Sequence, residues 1–260
     1  MLMRKIILAL LMLMAMAAVA EAKVTTEVVE YEHDGTVLEG FLAWDDSFDG
    51  KRPGVLLVHQ WMGLGEHEKA WAERLAAEGY VAMAADVYGK GVRPSNPTDA
   101  GAQATIYRSD RALMRARVQA GVDRLREVAA CNGQAAAIGF CFGGGCVLEL
   151  ARSGSELAGV VSFHGNLDTP DPADANNIRC SVLVCHGADD PYVPAETVTA
   201  FQDEMRNAGV DWQLVAYGNS VHAFTHESAG SDNSKGAAYN EKAAKRSWQA
   251  MLDFFDEIFE

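Results

Sequence analysis

From residue 55 onward, short apolar runs alternate with longer stretches of helical spacing. "VLLVH" (55–59), "YVAMAAD" (80–86), "QAAAIG" (134–139), "LAGVVSFHG" (157–165), "CSVLVCHG" (180–187) and "DWQLVAYG" (211–218) are almost continuously apolar. Runs of this kind predict strands covered on both faces of a sheet. Between them, residues 66–79, most of 103–130, 143–152, 195–209 and 235–259 carry apolar residues at helical spacing, and Gly79 stops the first of these helices. Upstream, "TTEVVEY" (25–31) and "TVLEGFLAW" (36–44) read as two strands joined by the turn "EHDG". The polar stretches 45–54, 88–101 and 166–177 are loops. This βαβ alternation predicts an α/β fold with a mostly parallel central sheet and helices on both faces. Ligands of such sheets sit at the carboxyl ends of the strands.

The first twenty residues depart from this pattern. "MLMRKIILALLMLMAMAAVA" places Arg4 and Lys5 before a long apolar run that ends in Ala18-Val19-Ala20. A basic start, an apolar middle and a small-x-small end predict a signal peptide over 1–20, cleaved after Ala20 or, in "AEA", after Ala22. Residues 21–260 then form one exported domain, periplasmic or secreted, with no stable membrane insertion after cleavage. The chain has 22 basic and 36 acidic residues and a formal net charge of −14, which loss of Arg4 and Lys5 makes two units more negative. Such a surface repels nucleic acid and anionic lipid. Nothing in the sequence signals an oligomeric state. The five cysteines are Cys131, Cys141, Cys146, Cys180 and Cys185. Their odd number leaves at least one thiol free. Cys180 and Cys185 face opposite sides of one strand, which argues against a bridge between them; most of the five are expected as buried thiols.

One cysteine stands in a telling place. "GFCFGGG" (139–145) follows a strand and opens a helix, with Cys141 spaced Gly-x-Cys-x-Gly between Gly139 and Gly143. A sharp strand-to-helix turn crowds the positions two before and two after its apex, where glycine relieves the clash. The first helical N–H groups and the helix dipole favour a thiolate and a developing oxyanion at that point. The run matches neither the Gly-x-Gly-x-x-Gly fingerprint nor a P-loop, so a phosphate cradle is the weaker reading. A purely structural turn remains the plain alternative.

A catalytic thiol needs a base and a group to orient it. "HGADDPYVP" (186–194) and "GNSVHAFTH" (218–226) both follow strands and lie on the same sheet edge as the turn. They offer Asp190 or Asp189 as the acid and His222 as the base, with His226 as its rival; the order nucleophile, acid, histidine is a known hydrolase order. The early loop "HQWMGLGEH" (59–67) lies where a second oxyanion donor belongs, which names the backbone N–H groups of Trp61 and Phe142. His59, Glu66 and His67 lack the His-Glu-x-x-His order, and His222 and His226 lack a Glu between them, so neither a metal nor another cofactor is expected.

Together, "GFCFGG", "HGADDPYVP", "VHAF", "VLLVHQWMGL" and "YVAMAADVYGKG" resemble the dienelactone hydrolase family of α/β-hydrolases, over roughly residues 25–257. The resemblance implies the α/β-hydrolase fold, a Cys141–His222–Asp190 triad and cofactor-free hydrolysis of esters or enol-lactones. It favours Asp190 over Asp189, because Asp190 precedes the Pro-x-x-Pro stretch. Three positions depart from the family's best-studied pattern. Gln60 replaces a Glu that takes part in thiol activation, and an amide cannot accept a proton as a carboxylate does. Lys90 and His226 replace arginines that clamp a substrate carboxylate; lysine loses the forked geometry and histidine is largely neutral near pH 7. These changes point to a small, less acidic ester or lactone as substrate. The alternative is a small-molecule binding protein on the same scaffold with an idle site.

Overall fold

A computed structural model describes residues 23–260. The expected signal peptide and both of its expected cleavage positions lie outside the described residues. Eight strands form one sheet: β1 (Val24–His33), β2 (Thr36–Asp45), β3 (Arg52–Val58), β4 (Val81–Ala85), β5 (Cys131–Phe140), β6 (Gly159–Phe163), β7 (Ser181–Gly187) and β8 (Trp212–Tyr217), in the order β1-β2-β4-β3-β5-β6-β7-β8. The β1–β2 and β2–β4 pairs are antiparallel, and the others are parallel. Among the described residues six α-helices flank the sheet: α1 (Glu66–Ala77), α2 (Pro97–Ser109), α3 (Arg111–Arg126), α4 (Phe142–Arg152), α5 (Ala195–Ala208) and α6 (Glu241–Ile258).

The apolar runs of β3 to β7 form strands because both of their faces are covered, whereas β8, at the sheet edge, is buried only at Tyr217. In β3, Val55 and Leu57 pack on one side with Trp71 and Leu75 of α1 and Met251 and Phe255 of α6. Leu56 and Val58 pack on the other with Val118 and Val122 of α3 and Val147 of α4. All four β3 residues are fully buried, so the period-2 geometry of a strand feeds two cores at once. Across the sheet, Val58 is level with Ala85 and Gly139, Gly139 with Ser162, and Ser162 with Val184. The parallel strands therefore end together, and the segments that follow them crowd one edge.

Three helix boundaries differ from those the spacing predicts. The stretch 103–130 is two helices, because the Asp110 side chain accepts the Leu113 N–H at 2.9 Å and starts α3 anew. Helix α2 also begins earlier, inside the expected loop: Asn96 accepts the Asp99 N–H at 3.0 Å and Pro97 occupies the first turn, where its missing N–H costs nothing. The last helix starts at Glu241, capped by Asn240.

Buried charges tie the 166–178 segment down beside the strand ends. Arg152, 1% exposed, donates to Glu149 at 3.0 Å, to both Glu204 oxygens at 2.8 Å and to the Leu167 carbonyl at 3.1 Å. Arg115 bridges Glu149 and Asp174 at 2.7 and 2.5 Å. Removing one partner of such a network leaves charge stranded in the interior. Glu204→Ala is expected to cost about 3 kcal/mol in urea unfolding, whereas Asp203→Ala, at an exposed pair on the same helix, should cost less than about 0.5 kcal/mol.

Candidate active site

Cys141 sits at the apex between β5 and α4 with φ 54° and ψ −114°. For a side chain with a Cβ this is strained backbone. The turn closes only because its flanks are bare. A Cβ on Gly139 would lie 2.1 Å from the Gly143 carbonyl oxygen, and one on Gly143 would lie 2.2 Å from that of Val58. The Cys141 N–H is held by the Phe163 carbonyl at 3.0 Å, and its own carbonyl accepts the Gly144 N–H at 3.1 Å. The thiol is thus fixed between two strands and the first turn of α4.

His222 and Asp190 reach the same edge from the segments after β8 and β7. His222 Nδ1 and Asp190 Oδ2 are 2.8 Å apart. The other Asp190 oxygen accepts the Tyr192 N–H at 2.8 Å, and the side chain is completely buried. Asp189 points to solvent. The Cys141 thiol lies beside the same ring, close enough for each group to shift the other's titration. Its backbone is pinned on both sides, N–H to the Gly236 carbonyl at 3.2 Å and carbonyl from the Ala238 N–H at 3.0 Å.

Burial pushes the Cys141 thiol up. The attraction of His222, the hydrogen bond between them, the Phe142 backbone N–H and the Arg108 guanidinium outweigh it, and the thiol lies below its ordinary value. Burial pushes His222 down, but the Cys141 sulfur and the Asp190 carboxylate lift it to about 10. Both shifts favour a thiolate–imidazolium pair, which titrates as a unit.

The early loop is held from several sides. Gly63 N–H closes a turn on the Gln60 carbonyl at 3.1 Å, and Tyr88 donates its hydroxyl to the Trp61 carbonyl at 3.0 Å. His59, fully buried, donates from Nδ1 to the Gln60 carbonyl at 2.6 Å and accepts the Val87 N–H at 3.2 Å, and burial takes it to about 4. Those bonds give His59 a structural task. Beneath the loop lies Glu68, also fully buried, which accepts the Gly65 N–H at 2.9 Å and the Gln60 N–H at 3.4 Å. Burial raises its carboxyl to about 7.

The three departing positions do not meet at the thiol. The Gln60 amide donates to His226 Nε2 at 2.7 Å, which fixes His226 as a neutral ring with its proton on Nδ1. Lys90 pairs with Glu30 and, at 3.9 Å, with Glu39 on the outer hairpin, so it is held away from the site. The cation that does act on the sulfur is Arg108 of α2, whose guanidinium carbon lies 5.9 Å from the Phe142 ring centre and whose Nη2 donates to Asn166 at 2.9 Å. Reading along the chain gave no reason to single out Arg108 from its helix, and Glu68 read as a helix-start residue.

A mostly parallel sheet with these connections, and a nucleophile-type elbow followed by an acid and a histidine on later strand ends, defines an α/β-hydrolase. The chain belongs to the dienelactone hydrolase family, whose profile matches residues 38–259. A solved structure titled m3DLH is 41% identical, covering 91% of this chain and 99% of that one at a TM-score of 0.88. A dienelactone hydrolase-like promiscuous phosphotriesterase from metagenomic libraries is 44% identical, with 92% and 99% covered and a TM-score of 0.87. Protein usf of Aquifex pyrophilus is 29% identical over 237 residues, 89% of this chain and 98% of its own. The chain is accordingly a dienelactone hydrolase-like hydrolase.

The charge pairing is open to direct measurement. Alkylation of Cys141 by iodoacetamide, followed against pH, should rise with an apparent pKa below the ~8.5 of a free thiol and then hold level. His222→Asn should move that limb up by more than about one unit. A wild-type limb at or above ~8.5 would show that the imidazole does not activate the sulfur.

Proposed function

We propose that the protein hydrolyses small carboxylic esters or lactones through a Cys141 acyl-enzyme, with His222 as base and acid and Asp190 as its orienter. The observation that carries this reading is the convergence of the three side chains on one sheet edge, with Asp190 and His222 at 2.8 Å and the thiol near enough to the same imidazole to raise it. The Cys141 thiolate attacks the carbonyl carbon, and the carbonyl electron pair moves onto oxygen. The Phe142 and Trp61 backbone N–H groups receive that oxyanion; α4 begins at Phe142, so its unpaired first N–H groups point there. The tetrahedral intermediate collapses, the C–O bond to the leaving group breaks, and the leaving oxygen takes the proton from His222. A water molecule then gives a proton to His222 and attacks the thioester. Collapse of the second intermediate breaks the C–S bond and frees the acid.

Gln60 and His226 support the early loop in this scheme, and Lys90 has no part in it. Arg108 stabilises the thiolate from the mouth of the site. The reading of residues 1–20 as a signal peptide places the enzyme outside the cytoplasm, in the periplasm or the medium; N-terminal sequencing of protein recovered from those fractions should begin at Glu21 or Lys23.

A panel of activated esters, lactones and one phosphotriester, the last prompted by the name of the 44%-identical relative, tests the reading. Cys141→Ala is expected to lower ester turnover about a thousandfold or more with its thermal midpoint retained, and intact mass spectrometry of the wild type should show one acyl group on residue 141. Tight binding of a small molecule with no turnover of any ester would replace the enzyme with a binding protein.

A further inference from the structure

A second cavity of about 560 Å³ opens between α1, the 225–239 segment and the start of α6. That volume suits a small organic molecule. Cys141, Trp61 and Phe142 are not among its walls, which are formed chiefly by His67, Trp71, Arg74, His226, Glu227 and Tyr239. Its walls carry polar groups that face the open space. Arg74 stacks its guanidinium carbon 3.8 Å from the Trp248 ring centre and 5.2 Å from that of Trp71. With its faces on indole rings, the edge that carries its N–H donors is left over. It senses the charges of Glu78 and Glu227 and the Tyr239 hydroxyl, yet forms no hydrogen bond with any of them among the described residues. Tyr239 stands at the same wall, partly exposed to the open space. His67 Nε2 is buried with no partner, its ring 4.5 Å from that of His226. Buried ring nitrogens are rarely left so.

The acids on the rim do not fill the need. Glu66 is paired with Lys69 at 2.8 Å, and Lys245 with Glu241 at 2.6 Å. Glu227 alone is unneutralised at the wall.

We propose that this cavity is a second binding site, taking a small carboxylate with an aromatic body: the carboxylate on the Arg74 edge and the Tyr239 hydroxyl, and the ring against Trp71. A planar carboxylate matches the fork of a guanidinium in two parallel hydrogen bonds, as no neutral group does. The site is distinct from the triad, and its existence does not depend on the catalytic reading. It is nevertheless joined to the early loop. His226 is both a wall of the cavity and the acceptor that holds Gln60 at 2.7 Å, so a ligand that turns or protonates His226 releases the residue next to Trp61.

Calorimetric titration of the full-length protein with benzoate is the test. Saturable one-site binding is expected, at least about tenfold tighter than that of benzyl alcohol. Arg74→Gln should weaken it about tenfold or more, and Glu227→Gln, which removes the one opposing charge, should tighten it about threefold. A gain of affinity cannot come from misfolding, so the second variant guards the first. Protein alkylated at Cys141 should bind benzoate unchanged. Absence of saturation by about 10 mM, indifference to both substitutions, or loss of binding on alkylation, which would place the benzoate at the triad, would each overturn the proposal.

Discussion

At the end of β5 the chain has to reverse in a space that admits no side chain on either flank of Cys141. Carbonyl oxygens of Gly143 and Val58 already stand 2.1 and 2.2 Å from where the β-carbons of residues 139 and 143 would be. The reversal forces Cys141 to φ 54°, a conformation that costs on the order of 1–3 kcal/mol and persists only where the surroundings over-determine it. Here they do: neighbouring strands, level with one another at Val58, Gly139, Ser162 and Val184, leave the sulfur one position to occupy. From that position the rest of the site follows. The start of α4 supplies N–H groups, and the segments after β7 and β8 deliver a carboxylate and an imidazole to the same height.

The electrostatics around this point work by contrast. Burial holds His59, His67, His164, His186 and His226 below the ordinary imidazole value. Several are also given neutral hydrogen-bond partners: His164 Nε2 meets the Thr225 hydroxyl at 2.8 Å, and its ring lies 5.3 Å from that of His222. Among these rings His222 alone is raised, because it alone has both a buried carboxylate and a sulfur that can carry charge. Neutral neighbours do not repel the imidazolium, so burial that disfavours charge elsewhere concentrates it here.

Much of this was legible along the chain. Six apolar runs became β3 through β8; in β3 to β7 the unbroken apolar signature comes from cover on both faces, while β8 is a half-buried edge strand. The elbow was legible because two crowded positions demand glycine at fixed offsets. Sequence order also put an aspartate and a histidine on later strand ends, but it could not turn Asp190 inward and Asp189 outward; that is settled by the Tyr192 N–H and the imidazole on the two Asp190 oxygens. The break at Asp110 was missed because apolar spacing continues through it while a single side chain recaps the helix. Lys90 was expected near substrate from its place after "DVYG", yet two carboxylates on the outer hairpin hold it, a contact made across fifty or more residues of sequence. Arg108 and Glu68 were invisible for the converse reason: their importance lies in what the fold leaves beside them.

All five cysteines are unbridged, and four of them are buried. Burial raises Cys146, takes Cys180 to about 11 and takes Cys185 to about 12. Cys146, the nearest in sequence to the elbow, stands five residues along α4, about 7.5 Å of helix rise away, beyond the span a disulfide tolerates without backbone movement. Cys131 and Cys180 stand at the start of β5 and just before β7, at the opposite sheet edge, and Cys185 is level with Phe140 but two strands, about 10 Å, away, so an oxidant that reaches Cys141 finds no resolving thiol within the fold. The sulfenic acid it forms must be reduced from outside or proceed up the oxidation ladder to irreversible loss, so in an oxidising compartment the lifetime of the enzyme is set by the exposure of one atom.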